Sequence, residues 1–371
     1  MPSQLFTPIT LRSVTLANRV VVAPMCQYSA INGTLTDWHH MHLGQYAVSG
    51  TGLVFVEATG VEAEGRITLG CPSLWNDENE AAMARVVKFN ADYGNSVMGI
   101  QLAHAGRKAS TGLPWDGGKS LTAEQGAWET SAPSAVPYAD GWHTPTALSA
   151  QGLERIKQAF VQGAERAVRA GFKVIEVHAA HGYLLHEFMS PLSNKRDDEY
   201  GGSLENRIRF PLEIFEAVRG VVPDDLPVGI RVSATDWVEG GWAAEDTVVM
   251  GKALAKLVCD FIDVSSGGNS PLQQISVGAG YQTGFAAQIK RETGLITMAV
   301  GMINEAKQAE TIVASGQADM VALARGMLYD PRWTWHAAEA LGADAAFPPQ
   351  YARTHPTLRG LPVPGNPPVA K

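Results

Sequence analysis

The sequence predicts an α/β protein built as a single (β/α)8 barrel, with an N-terminal hairpin and a long loop after the third strand. Three observations lead there. Eight short apolar runs recur along the 371 residues. Helical patterns separate them. Polar and glycine residues gather just after the runs, where a parallel barrel places its active mouth.

The runs are Val20–Ala23, Leu53–Ala58, Val97–Leu102, Val174–His178, Val228–Val232, Phe261–Ser265, Ile296–Val300 and Met320–Ala324. Each is mostly apolar without clean alternation, the pattern of strands buried on both faces. Before them, Thr7–Asn18 carries Ile9-Thr-Leu11 and Val14-Thr-Leu16 around Arg12-Ser13. That predicts a hairpin closing the barrel floor. Apolar spacing predicts helices over Asn79–Tyr93, Gly152–Gly171, Leu204–Val221, Glu245–Val258, Phe285–Glu292, Asn304–Ser315 and Arg332–Leu341. In the second of these, Leu153, Ile156, Phe160 and Ala164 share a face, with Ser149 as N-cap and Gly171 as stop. Pro211 predicts a kink or a late start in the third. Strand–helix alternation through eight strands predicts a closed TIM barrel. The alternative, a doubly wound open sheet, carries its phosphates on G-x-G-x-x-G after a strand, and no such motif occurs.

Two segments break the rhythm. From His104 to about Leu148 the chain is rich in Gly, Pro and Trp (Trp115, Trp128, Trp142). A loop this long is usually functional, and its place after the third strand sets it over the active mouth. From Pro348 to Lys371 there are seven prolines and no helical pattern. The chain therefore divides into a barrel over residues 1–350 and a Pro-rich tail over 351–371, disordered or draped on a neighbouring subunit.

Composition bounds the function. Charged residues are 18% and hydrophobic residues 45%, ordinary for a globular chain. A net charge of -8 argues against nucleic acid or anionic membrane as partners. Runs such as Val20–Met25 and Leu53–Val56 fall far short of the roughly 20 residues of a membrane span. Met-Pro-Ser-Gln at the N-terminus lacks the basic and apolar regions of a signal peptide. Three well-separated cysteines, Cys26, Cys71 and Cys259, suit a reducing, cytoplasmic setting. Without a C-x-x-C, a four-cysteine zinc or iron–sulfur site is excluded.

Four motifs in order then resemble one family. They are Pro24-Met25-Cys26-Gln27-Tyr28; Gly99 to Arg107 (GIQLAHAGR); Glu176 to Tyr183 (EVHAAHGY); and Ser193-Asn-Lys-Arg-Asp197 followed by Glu199-Tyr-Gly-Gly-Ser203. Together they resemble the old yellow enzyme family, closest to its bacterial thermophilic-like branch, from Leu5 to about Arg353. The resemblance implies a flavin-dependent ene-reductase of the NADPH dehydrogenase class. FMN would be the cofactor, NADPH or NADH the reductant, and activated alkenes the substrates: α,β-unsaturated carbonyls, maleimides or nitroalkenes. A homodimer or homotetramer is implied, and no metal.

Residue by residue, the resemblance assigns His178 and His181 to the substrate's activating oxygen. Two imidazole N–H groups aimed at that oxygen make an oxyanion-type site, because hydride addition at Cβ builds enolate charge there. The bland readings are a zinc pair or structural histidines. Tyr183 would protonate Cα as general acid; otherwise it is a packing tyrosine. Cys26 marks the branch and would tune the flavin, although a buried strand-end cysteine is most often core. Tyr28 would line the substrate pocket. Ala23, Pro24, Met25, Cys26 and Ala58 would pack the flavin, Gln101 its pyrimidine edge, and Arg231 its N1 and C2 carbonyl. Ala299, Val300, Gly301, Ala324 and Arg325 would take the phosphate, at the usual barrel phosphate site. The family usually has glycine before this arginine; here Ala324 stands. Arg107 and Lys108 either approach substrate and nicotinamide or are solvated loop cations. Arg353 would reach a neighbouring subunit's site. The alternative is a metal-dependent barrel hydrolase using His178, His181 and His104, but no carboxylate cluster follows the runs. A third reading is a flavin-binding protein without enone activity.

Overall fold

A computed structural model of the chain describes residues 2–358. In chain order, β1 (Ile9–Leu11) and β2 (Val14–Leu16) precede β3 (Val20–Val22), α1 (Asp37–Ala47), β4 (Leu53–Gly60), α2 (Asp77–Tyr93) and β5 (Val97–Ala103). The loop pair β6 (Ser131–Ala132) and β7 (Thr146–Ala147) leads to α3 (Ala150–Ala170), β8 (Val174–Ala179), α4 (Leu184–Met189), α5 (Leu204–Val221) and β9 (Val228–Ser233). Then come α6 (Ala244–Lys256), β10 (Phe261–Ser265), α7 (Thr283–Thr293), β11 (Ile296–Ala299), α8 (Ala306–Ala314), β12 (Met320–Leu323), α9 (Arg325–Tyr329) and α10 (Trp333–Leu341). Eight strands close one barrel in the order β10-β11-β12-β3-β4-β5-β8-β9, every neighbour parallel. All eight expected runs are barrel strands.

The hairpin β1–β2 covers the floor. Ser13 N donates to Asp225 O at 3.2 Å and Arg12 Nε lies 2.6 Å from Asp260 Oδ1. Both partners sit just before strands, β9 and β10. Higher in the barrel Phe55 and Phe261 meet at 6.3 Å between ring centroids. Gly99 and Gly229 leave room for these rings: a Cβ on Gly229 would stand 2.4 Å from Phe261. Gly229→Ala is therefore expected to lower unfolding free energy by about 1–3 kcal/mol, the scale of an overpacked core, read in a urea titration. An unchanged midpoint would show that the ring yields freely.

Helix α1 is not announced by apolar spacing. Its buried face holds His39, His42 and Gly44 beside Leu43 and Tyr46, while Trp38 and Met41 are exposed. Helix α5 starts at Leu204, capped by Ser203, and continues through Pro211, so the late start does not occur. The motif from Ser193 to Ser203 turns out to be scaffolding. Asn194 Nδ2 donates to Phe188 O and Tyr200 O, both at 2.7 Å, and Arg196 Nη1 to Pro133 O and Leu148 O at 3.0 and 2.7 Å. These bonds pin the long loop to the barrel. Beyond α10, the 3-10 turn Pro349–Thr354 packs Tyr351 against Trp335. The rest of the tail, 359–371, lies outside the described residues. Among those described, no helix is long and apolar enough to cross a membrane.

Candidate active site

The C-terminal end of β8 carries the centre. His178 Nδ1 accepts from the Ala180 N–H at 3.1 Å. Burial, with Arg231, His186 and Lys108 nearby, pushes its pKa well below the ordinary value. The ring is thus neutral, and its single proton sits on Nε2. Tyr183 stands edge-on to it, 5.1 Å between centroids. Burial raises the phenol pKa well above its ordinary value, so Tyr183 keeps its proton at neutral pH.

His181 departs from the expectation. Its backbone is left-handed (φ 61°), and its N–H donates to Ser233 Oγ at 2.9 Å. That turns the ring toward β10, where Nε2 lies 2.8 Å from Ser265 Oγ. The two imidazoles are 5.2 Å apart at 88°, but only His178 presents an uncommitted Nε2–H. A single donor is preformed, not the expected pair.

Of two cations left open by the sequence, Arg107 is buried and Lys108 half-buried. Lys108 Nζ donates to His181 O at 2.7 Å and Gly268 O at 2.8 Å, and lies 5.1 Å from the Tyr183 ring centroid. Burial lowers its pKa to about 8. Arg107 donates through Nη2 to Asn269 O at 2.7 Å, and its backbone N–H to Glu187 Oε1 at 2.8 Å. The reading of both as solvated loop cations is overturned. The loop they open also sends Tyr138 over Lys108 at 4.8 Å and Trp115 onto Tyr28 at 5.7 Å, so it does cover the mouth. His104 is held apart from the pair by Glu62, 2.9 Å away.

Inside the barrel, Gln101 Nε2 donates to Glu176 Oε1 at 2.7 Å, leaving its carbonyl for a ligand's N–H. Arg231 Nε lies 3.1 Å from Asp263 Oδ2. At the end of β3, Ala23 N donates to Leu323 O at 2.9 Å, and the chain then passes through Pro24 and Met25 to Cys26. A contact with Cys71, burial and Glu57 raise the Cys26 pKa well above its ordinary value, so it is a thiol rather than a nucleophilic thiolate. A bulge between Val56 and Ala58 turns Glu57 to accept Gln27 N at 2.8 Å, with His39 Nε2 at 3.4 Å behind. This fixes the strand-end loop, where Tyr28 is left-handed (φ 54°) and lines a cavity of about 640 Å³ with Thr111 and Leu121.

A second cavity, about 660 Å³, is lined by Val300, Gly301, Ala324, Arg325, Tyr281 and Gln282, with Ala299 just below. Gly301 has φ 122°, and a Cβ there would meet Gln282 Nε2 at 2.7 Å. Ala324 has φ -108°, outside the left-handed region that favours glycine. Arg353 is exposed on the 349–354 turn and lines neither cavity.

Sequence reasoning gave no individual role to Glu57, Glu176, Glu187, Asp263, Ser265 and Gln282. For three of them a signal existed: an acid inside an apolar strand run. A flavin suits what is present. Arg231 Nε is a buried donor without an aligned acceptor, and the Gly301 cradle would be filled by a Cβ. Barrel, cradle and histidine rim together define a flavin-type barrel oxidoreductase. The chain belongs to the NADH:flavin oxidoreductase / NADH oxidase family, whose model matches residues 4–344. The NADPH dehydrogenase of Geobacillus sp. (strain WCH70) is 44% identical, covering 95% of this chain and 99% of that one. Morphinone reductase in complex with tetrahydroNAD superposes with TM-score 0.75 at 28% identity, covering 94% of each chain. A 2-naphthoyl-CoA reductase gives TM-score 0.82 at 25% identity over 91% of this chain, which spans only 52% of that longer protein. The old yellow enzyme resemblance is thereby borne out, with a flavin cofactor and a nicotinamide reductant. Nothing supports the hydrolase.

Proposed function

We propose that the chain is an FMN-dependent ene-reductase that oxidises NADPH, or NADH, and reduces activated alkenes by a ping-pong route. The observation that carries this is His178, whose Nε2–H is fixed by the Ala180 bond beside the protonated Tyr183. FMN, when bound, would supply the hydride chemistry between the nicotinamide and Cβ of an α,β-unsaturated carbonyl, maleimide or nitroalkene.

The chain's residues do the rest. Arg325 and the Gly301 backbone would hold the phosphate. Arg231 and Gln101 would hold the pyrimidine edge, with Ala23–Cys26 and Ala58 at the ring's face and edge. His178 Nε2–H binds the activating oxygen and stabilises charge that grows there. His181 joins it by giving up Ser265. Tyr183 gives its proton to Cα. Lys108, bonded to His181 O and stacked on Tyr183, holds both in place. Tyr28 bounds the substrate pocket. The protein is read as cytoplasmic and as a homodimer or homotetramer, with the tail beyond residue 350 carrying Arg353 to a neighbouring subunit's site.

A visible spectrum tests the reading: oxidised-flavin bands, bleached by NADPH and shifted by a phenol. A colourless preparation would reject it. Tyr183→Phe is expected to leave NADPH oxidation intact and slow enone reduction by on the order of 10²-fold, the lower range for a lost general acid. Unchanged enone turnover would assign the proton to water instead.

A further inference from the structure

Arg231 stands between two acids inside the barrel. Strand register places it beside Asp263 on β10 and beside His178 on β8, and Glu176 lies two residues below His178 on the same face. Glu176 and Asp263 are fully buried. Arg231 Nε is 3.1 Å from Asp263 Oδ2, whereas Glu176 has only Gln101 on Oε1 and nothing on Oε2. The groups facing Glu176 are thus Asp263, Arg231, Gln101 and the neutral His178. Two anions against one cation in a water-poor interior do not both stay ionised. Burial raises the Asp263 pKa as well, but there the guanidinium beside it works against the rise. Burial and the Asp263 charge, only partly countered by Arg231 and Gln101, push the Glu176 pKa up to about 8.

We propose that Glu176 is the redox-linked proton acceptor of this site, holding or taking up one proton from water when a flavin held by Arg231 would be reduced. The inference rests on the flavin reading. A hydride carries two electrons and one proton, so reduction adds one negative charge to the cofactor and one positive charge to the nicotinamide. In alkaline solution Glu176 starts ionised; one O–H bond forms at its carboxylate and one proton leaves the solvent. Reoxidation by substrate releases that proton to water, while Tyr183 supplies the one that ends on carbon. Because Glu176 is bonded to Gln101, its protonation also decides whether the amide turns a donor or an acceptor toward the mouth.

The flavin midpoint potential of the holoenzyme, followed from about pH 6 to pH 10, tests this. In the wild type the slope against pH should become roughly twice as steep above about pH 8, since two protons rather than one then accompany two electrons. Glu176→Gln should show one shallow slope throughout. If that variant loses its flavin, reduced-minus-oxidised infrared spectra of the wild type at about pH 9 decide: a protonated carboxyl band should appear on reduction and shift in heavy water. A single slope in the wild type, a slope that becomes shallower above the break, a break retained in Glu176→Gln, or no carboxyl band would overturn the proposal. A protein without flavin would instead sink the reading of function.

Discussion

His178→Ala is expected to slow reduction of a cyclic enone by about 10²–10³-fold, the loss seen when one oxyanion donor is removed, while flavin reduction by NADPH falls far less. The asymmetry follows from where charge appears. Hydride delivery to Cβ leaves negative charge on the activating oxygen, and His178 Nε2 is the donor whose proton is fixed by the Ala180 bond. A nicotinamide giving up hydride develops positive charge and gains little from that donor. Affinity for phenols, which mimic the charged oxygen, should drop in the same variant. Since burial and Arg231 hold the His178 pKa well below its usual value, the ring stays neutral through the working range, and the defect should not vary between about pH 6 and pH 9. Stopped-flow measurement of both half-reactions checks this; equal slowing would reject the oxyanion assignment. His181→Ala should cost less, because its Nε2 must first leave Ser265.

The barrel was legible because a strand buried on both faces has only one sequence solution, a short run of apolar and β-branched residues. The rim histidines were legible because a family motif carries them. What escaped was polar and buried. Helix α1 hides histidines and a glycine on its inner face, so no apolar stripe marks it. Glu176, Arg231 and Asp263 occupy inward positions of their strands, and a charge inside such a run is unexplained until its neighbours across the sheet are known. Lys108 and Arg107 read as loop cations because nothing local shows that backbone carbonyls from residues 181, 268 and 269 come to meet them. The turn of the His181 ring is set by Ser233 and Ser265, on strands far along the chain.

Asp236→Ala is expected to destabilise the fold by about 1–3 kcal/mol, the cost of leaving a buried donor without its acceptor. Asp236, just past the end of β9, is fully buried. Its Oδ1 lies 3.0 Å from His186 Nε2, and its Oδ2 accepts from Trp242 N at 2.9 Å and from Ser190 Oγ. His186 Nδ1 in turn accepts from Gly182 N at 2.9 Å, in the strained turn that carries His181 and Tyr183. Removing the carboxylate leaves these donors unpaired and loosens that turn, so catalysis and stability should fall together. The acid limb of the stability curve separates this from a simple cavity. Burial alone would raise the Asp236 pKa, but His186 and the hydrogen bonds to the carboxylate outweigh it and bring it down to about 2. A depressed carboxyl pKa contributes stability that is present above its unfolded value near 4 and is lost as pH falls toward 2. At roughly 1.4 kcal/mol per pKa unit, that contribution is about 2–3 kcal/mol. Urea midpoints with flavin in excess, which keeps ligand linkage constant, should fall more gently between about pH 4 and pH 2 in Asp236→Ala than in the wild type. Parallel acid limbs would mean that the carboxylate is not the ionised anchor of the catalytic turn.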